Sequence, residues 1–190
     1  MKLNNRGMTL IEMIVSFAIL GVVSVAVFGM LLTATKTYTS LTTTIKLQYE
    51  AQLAMANIER HVVNCNEGIA WNSGQNALFI INEEGGTKNL QVIYLDKTSN
   101  ELYYGTQTLN DDGQATLAFY LWAEHVDERK VTLTPSGSDE TRQVQLELKM
   151  TRNNKTYTGK KTIALRNKPS GNYTCTLSGA VGTATLPSGS

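Results

Sequence analysis

Residues 6–32 read RGMTLIEMIVSFAILGVVSVAVFGMLL. A basic residue and a glycine come first, the chain turns apolar at Thr9-Leu10-Ile11, and Glu12 is the only charge from Met8 to Leu32. At about 1.5 Å per residue, a helix over Met8 to Leu32 is long enough to cross a bilayer core of about 30 Å with some tilt. Lys2 and Arg6 precede the run. The cytoplasmic bias of positive charge therefore places the N-terminus inside and the rest outside. A secretory signal peptide has an apolar core of about 7–15 residues with its small-residue cleavage site behind it. Here the small residue, Gly7, stands in front of the run. Cleavage after Gly7 removes the basic leader and leaves the apolar helix on the mature chain.

Glu12 then needs an explanation. A charge deep in a membrane costs at least about 2.5–3.5 kcal/mol, and such residues are usually paired. Cleavage frees the amine of Met8, roughly 6 Å from Glu12 along a helix axis. Three readings stand. The carboxylate pairs with that amine in its own chain; it pairs with the Met8 amine of a neighbouring chain and so marks the docking register; or it reaches back to the headgroups from the helix start. Ser16, Ala18, Gly21, Ser24, Ala26 and Gly29 suit close approach between apolar helices.

Arg6-Gly7-Met8-Thr9-Leu10-Ile11-Glu12, followed by an uncharged run, resembles the class III leader of type IV pilins and pseudopilins. The resemblance implies cleavage between Gly7 and Met8 by a prepilin peptidase and N-methylation of Met8. It implies that Glu12 supports assembly with other pilin or pseudopilin subunits. It further implies an inner-membrane platform protein and an assembly ATPase as indirect partners, with the lipid bilayer holding the helix beforehand. Two departures are visible: Met8 stands where the family usually has Phe, and the first proline is Pro135, so Gly21 and Gly29 are the expected soft points of the helix.

After Leu32 comes a threonine-rich stretch, and then helical spacing resumes at Leu41, Ile45, Tyr49, Leu53, Ile58 and Val62. These residues are read as the buried face of a helix that continues to about Asn64. Arg60 and His61 suit its last turn, and Gly68 its end. A separate helix behind a flexible threonine linker is the competing reading. From Ala70 the apolar residues alternate. The expected strands are ALFII (77–81), LQVIYL (90–95), ELYYG (101–105), ATLAFYLW (115–122) and KVTLTP (130–135). A hairpin turns at Asn153-Asn154, with Val144, Leu146, Leu148 and Met150 on one face and a bulge expected near Gly159. Lys97 to Asn100, Asp111-Asp112-Gly113 and Glu83-Glu84-Gly85-Gly86 read as turns.

The expected fold is therefore α+β and pilin-like: a long N-terminal helix, apolar then amphipathic, packed against an antiparallel β-sheet head. Its parts are a leader (1–7), a transmembrane or filament-core helix (8–32), an amphipathic helix (33–68), the sheet head (69–168) and a loosely ordered tail (169–190), rich in Gly, Ser and Thr. Cys65 and Cys175 are expected to bridge, tying the tail to the helix end, which the chain-entropy model values at about 4–5 kcal/mol.

The 190 residues carry 17 basic and 16 acidic side chains, and without Lys2 and Arg6 the balance is 15 to 16. No net basic field argues for bulk nucleic-acid binding. His61 and His125 read as structural or exposed, and no Gly-rich phosphate loop precedes a helix. No catalytic constellation, metal set or cofactor is expected. Trp71, Trp122, Tyr103, Tyr104 and Tyr120 are either sheet packing or a stacking surface for a ligand or single-stranded DNA. The expected function is structural: a subunit, of the minor kind, in a type IV pilus, a competence pilus or a type II secretion pseudopilus, with its head at the cell surface. The alternative is a single-span, membrane-anchored binding domain that never polymerises.

Overall fold

Two periodicities meet in this chain, and the change from one to the other fixes its architecture. The computed structural model describes residues 9–134, 142–167, 169 and 173–185. It forms two compact units, Met1–Thr43 and Thr44–Ser190. One helix, α1, runs Leu10–Val63. It passes Gly21 and Gly29 without a break and continues through the threonine-rich stretch, against the reading of a flexible linker there. The reason is local. Thr33 and Thr35 turn their hydroxyls onto the carbonyls of Gly29 and Leu31 (3.0 and 2.8 Å), and Thr39 and Thr43 do the same to Lys36 and Thr39 (3.0 and 2.9 Å). Such back-bonding gives each hydroxyl a partner without leaving the helix.

The buried face of α1 differs from the expected one. Leu47, Ala51, Ala54, Met55, Ile58 and Val62 are buried, whereas Leu41, Ile45, Tyr49 and Leu53 are 48–66 % exposed. The error lies in the five-residue step from Leu53 to Ile58. At 3.6 residues per turn that step rotates the side chain by about 140°, so the two cannot share a face. The observed core positions keep three- and four-residue steps throughout.

Among the described residues, eleven strands form three antiparallel sheets. The first sheet has the order β1 (Gly68–Asn72), β2 (Ala77–Glu84), β3 (Thr87–Asp96), β4 (Glu101–Thr108) and, two labels on, β6 (Ala118–Ala123). Between the last two in the chain lies β5 (Gln114–Thr116), which belongs to another sheet together with β10 (Thr174–Ser178) and β11 (Val181–Thr185). The third sheet is β7 (Val126–Thr134), β8 (Gln143–Arg152) and β9 (Lys155–Ala164).

The middle of the first sheet is buried on both faces. On β2, Leu78 and Ile80 join the cluster of α1 and the third sheet, where Val144, Leu146, Leu148 and Met150 of β8 also lie. Ala77, Phe79 and Ile81 join the opposite cluster with Leu90, Val92, Cys175 and Ala184. Burial on both faces is why this strand reads as a continuous apolar run instead of alternating. The β8–β9 hairpin turns where expected, with Asn153 and Asn154 at φ 49 and 60°, the left-handed pair of a tight hairpin turn.

No bulge occurs near Gly159. The β8–β9 register is unbroken from Gln143↔Ala164 to Arg152↔Lys155. Tyr157, Gly159, Lys161 and Ile163 are all two apart, so they share a face. Apolar spacing looked irregular only because Gly159 and Lys161 occupy two inward-facing places. A Cβ on Gly159 would stand 2.5 Å from Met55 Cε, which is how close the helix lies. Lys161 reaches the helix flank, with its Nζ 2.5 Å from Glu59 Oε2.

Three further expectations are corrected. The segment ATLAFYLW is two strands, split at buried Leu117, whose N–H donates to Ala180 O (2.7 Å). The tail is ordered over residues 173–185: β10 and β11 pair from Thr174↔Thr185 to Ser178↔Val181, and β11 pairs with β5. Its small residues permit this closeness, since a Cβ on Gly182 would lie 2.8 Å from Leu90 Cδ2 and 2.9 Å from Leu117 Cδ1.

The third correction concerns the cysteines, which are both free and buried. Cys65 lies in the helix-side cluster and Cys175 in the opposite one, so the two thiols pack on different faces of the first sheet. The tail is held instead by polar contacts. Tyr173 Oη donates to Glu67 Oε1 (2.6 Å), and Lys88 Nζ donates to the same oxygen (2.6 Å). Burial pushes both thiols up to about 12, which leaves almost no thiolate at neutral pH. Intact mass should be identical with and without reductant, and alkylation of either thiol should require denaturant. A two-dalton gain on reduction, or rapid labelling of the folded chain, is the contrary result.

Candidate functional site: the front of the apolar helix

Gly7 and Met8, the residues expected to be cleaved between and methylated, lie outside the described residues. The described site starts at Thr9. Its N–H and its hydroxyl both donate to Glu12 Oε2 (3.2 and 3.3 Å), and the Glu12 N–H donates back to Thr9 Oγ1 (3.4 Å). This reciprocal arrangement is a capping box. The N-cap hydroxyl accepts from the third helical residue, whose carboxylate accepts from the N-cap. The first intrahelical bond, Met13 N–H to Thr9 O at 3.2 Å, follows directly. The carboxylate also sits at the positive end of the helix, where negative charge is favourable.

Sequence reading missed Thr9, although the signal was there: Thr-x-x-Glu immediately before an apolar run. Glu12 thus has a partner that none of the three earlier readings supplied. Its carboxylate is held by its own chain, through bonds that also satisfy otherwise orphaned donors of the helix start.

Behind the cap the helix is exposed at every residue from 10 to 39. Its apolar window has a mean hydropathy of 2.6 and no residue buried within the structure. Leu10, Ile14, Phe17, Val22, Val25 and Phe28 are all 59 % exposed or more. Ser16 and Ser24 donate to the carbonyls of Glu12 and Leu20 (2.8 and 2.7 Å), so neither hydroxyl is left unpaired on an apolar surface. By length and composition α1 is able to cross a membrane.

The other candidate groups resolve into structure. His61 Nδ1–H donates to Gln91 Oε1 (2.9 Å), and the ring packs on Tyr104 and Trp122 at centroid distances of 4.7 and 5.4 Å. Burial is the main cause that lowers its pKa. Tyr104 stacks on Trp122 (4.4 Å), Tyr103 stacks on Tyr94 (5.2 Å), and Trp71 lies beneath Arg129 (5.1 Å). Tyr103 and Tyr104 are consecutive on a strand and point to opposite faces. The five aromatic residues singled out in the sequence therefore do not form one stacking platform. Asp111, Asp112 and Gly113 make a turn, with Gly113 N–H donating to Asn110 O (2.9 Å). They line an open cleft of about 690 Å³ with Lys88 and Tyr173. Glu67 stays ionised more readily than usual, chiefly because Lys88 and then Tyr173 donate to it. Among the described residues no three metal-ligating side chains come together.

Residues 2–28 match the family model described as the prokaryotic N-terminal methylation motif. With an apolar helix behind it, this is the class III leader arrangement of type IV pilins and pseudopilins. The match covers the leader and part of the helix, and none of the sheets. No curated protein matches the chain, and no solved structure does. The layout, one long N-terminal helix packed on antiparallel sheets, is pilin-like.

Proposed function

We propose that this chain is a subunit, of the minor kind, of a type IV pilus, a competence pilus or a type II secretion pseudopilus. It is made with a leader over residues 1–7, cut by a prepilin peptidase between Gly7 and Met8, and N-methylated on Met8. The membrane holds residues 8–32 as a single span with the head outside. Assembly then transfers that helix from lipid to a bundle of like helices, helped by a platform protein and an ATPase. Glu12 serves that assembly.

The observation that carries this reading is the capped, unburied apolar helix within the span of the methylation motif. The outward residues Ile45, Tyr49 and Leu53 support it too. They lie beyond the uncharged run, yet they are apolar, four apart and 48–66 % exposed, which suits contact with another helix better than contact with water. A purely tethered domain has no use for this stripe.

Intact mass and N-terminal sequencing of the chain from its native membrane test the reading. The expected polypeptide begins at Met8 with one added methyl group, and a host lacking the peptidase should retain all residues from Met1. A wild-type chain that still begins at Met1 leaves the anchored binding domain as the surviving account.

A further inference from the structure

Every sheet has two edges, and an open edge is a row of unpaired backbone donors and acceptors. Among the described residues, nearly all the edges are closed or guarded. The first sheet ends at β1, where Asn72 Nδ2 donates to Cys175 O of β10 (3.1 Å). The edge at β10 is bonded by a side chain, Gln75, whose Oε1 accepts from Leu177 N–H (2.8 Å) and whose Nε2 donates to Leu177 O (2.5 Å). Strand β5 has only three residues. Strand β7 carries Asp127, Glu128 and Lys130 outside the core, and β9 carries Lys155, Lys160 and Lys161. Charged side chains on an edge oppose pairing with another strand.

Strand β6 is the exception. It ends the first sheet beyond β4, and its sequence, Ala-Phe-Tyr-Leu-Trp-Ala, contains no charge, proline or glycine. Tyr120 and Leu121 are 62 and 47 % exposed, and they are the large exposed apolar residues among the described strands. An exposed apolar edge of this kind is a pairing site.

We infer that β6 pairs antiparallel with β6 of a second copy, joining two heads through one continuous sheet while both chains stand in the membrane. An extended backbone is the occupant an open ladder selects, because only a strand returns its donors and acceptors in register. Self-pairing about a two-fold axis requires a strand that tolerates its own copy. Strand β9 would bring lysines of both copies together, whereas β6 sets Tyr and Leu against Tyr and Leu, a favourable cross-strand combination. A six-residue ladder is small by the standard of stable interfaces. Confining both copies to one bilayer raises their effective concentration and compensates. Such a closed pair differs from the open, staggered contacts of a filament, so it describes the membrane pool that precedes assembly.

Oxidative cross-linking of the full chain in native membranes tests this. Tyr120→Cys should give a covalent dimer at ten or more times the yield of Thr98→Cys, which sits on the exposed β3–β4 turn; the native thiols are buried and do not compete. Adding Leu121→Lys should cut the yield to the Thr98→Cys level, whereas Leu121→Thr, uncharged and strand-favouring, should retain it. The Tyr120→Cys dimer should also persist with Glu12→Gln. A yield equal to that of Thr98→Cys, or one indifferent to Leu121→Lys, overturns the pairing. A yield lost with Glu12→Gln overturns it as well, by assigning the contact to the filament.

Discussion

Replacing Glu12 by Gln is expected to leave the chain inserted and cut after Gly7, while its recovery in sheared filaments falls at least tenfold. Gln retains an oxygen for the bonds from Thr9, which stand at 3.2 and 3.3 Å in the wild type, so the helix start should survive. What Gln lacks is the charge. Under the proposed function Met8 presents a free amine after cleavage, and the assembled state would place an ammonium and a carboxylate in a dry, apolar bundle. Removing one partner of such a pair costs about 3–5 kcal/mol, because the other charge is left buried and alone. Each 1.4 kcal/mol is about tenfold in an equilibrium constant, so even a third of that loss is measurable. Thr9→Ala separates the two roles of Glu12. It removes the cap, worth about 0.5–2 kcal/mol, and keeps the charge. It should therefore reduce filament recovery less than Glu12→Gln does. Membrane fractionation, intact mass and filament shearing together read all three steps. Undiminished recovery of Glu12→Gln would mean that the carboxylate does nothing beyond capping its own helix.

The parts of this chain legible in its sequence were those where one local rule acts alone. The leader needed only charge, a glycine and an apolar length. The β8–β9 hairpin needed only alternation and two asparagines that accept positive φ. The helix existed where expected, but its buried face did not, because Leu41, Ile45, Tyr49 and Leu53 satisfy a helical spacing that leads away from Ile58. Both stripes are apolar, so composition cannot choose between a face turned to the sheets and one turned outward. The tail failed for a different reason. Gly182, Ala184 and Cys175 are small, and smallness was read as an inability to build a core. In the fold, smallness lets β10 and β11 lie directly on Leu90 and Leu117. Cys65 and Cys175 illustrate the limit of counting: an even number permits a bridge, but only the topology reveals the sheet between them. At the candidate site, Glu12 was legible as an anomaly, while its partner Thr9 was passed over because a threonine beside an apolar run draws no notice.

Arg129 was passed over in the same way: it lies just before the expected strand 130–135, one of four consecutive charges from Asp127 to Lys130. Arg129 is only 2 % exposed. Its Nη2 donates to the carbonyls of Asn76 and Ile93 (2.9 Å to the latter), and its guanidinium lies over Trp71. Nε and Nη1 have no partner among the described residues. Burial alone lowers its pKa to about 9. Such a cation is a cost the fold carries, and two substitutions should show it. Arg129→Ala leaves a void and two orphaned carbonyls, and is expected to destabilise the head by about 3–5 kcal/mol. That corresponds to roughly 10 °C or more in melting temperature for a chain of this size. Arg129→Met fills similar volume without the desolvated charge and is expected to be neutral or stabilising by up to about 4 kcal/mol. The pH dependence has a definite sign. The folded pKa lies below the unfolded one, so the unfolded chain binds more protons between them. The penalty is complete below pH 9 and fades as pH rises from about 9 towards 12. Arg129→Met should therefore gain most over the wild type at pH 7 and less at pH 10. Urea melts of the detergent-solubilised chain, followed by tryptophan fluorescence, read both effects. If Arg129→Met loses as much as Arg129→Ala, the bonds to the two carbonyls and the contact with Trp71 outweigh desolvation, and the guanidinium is a strut between the sheets.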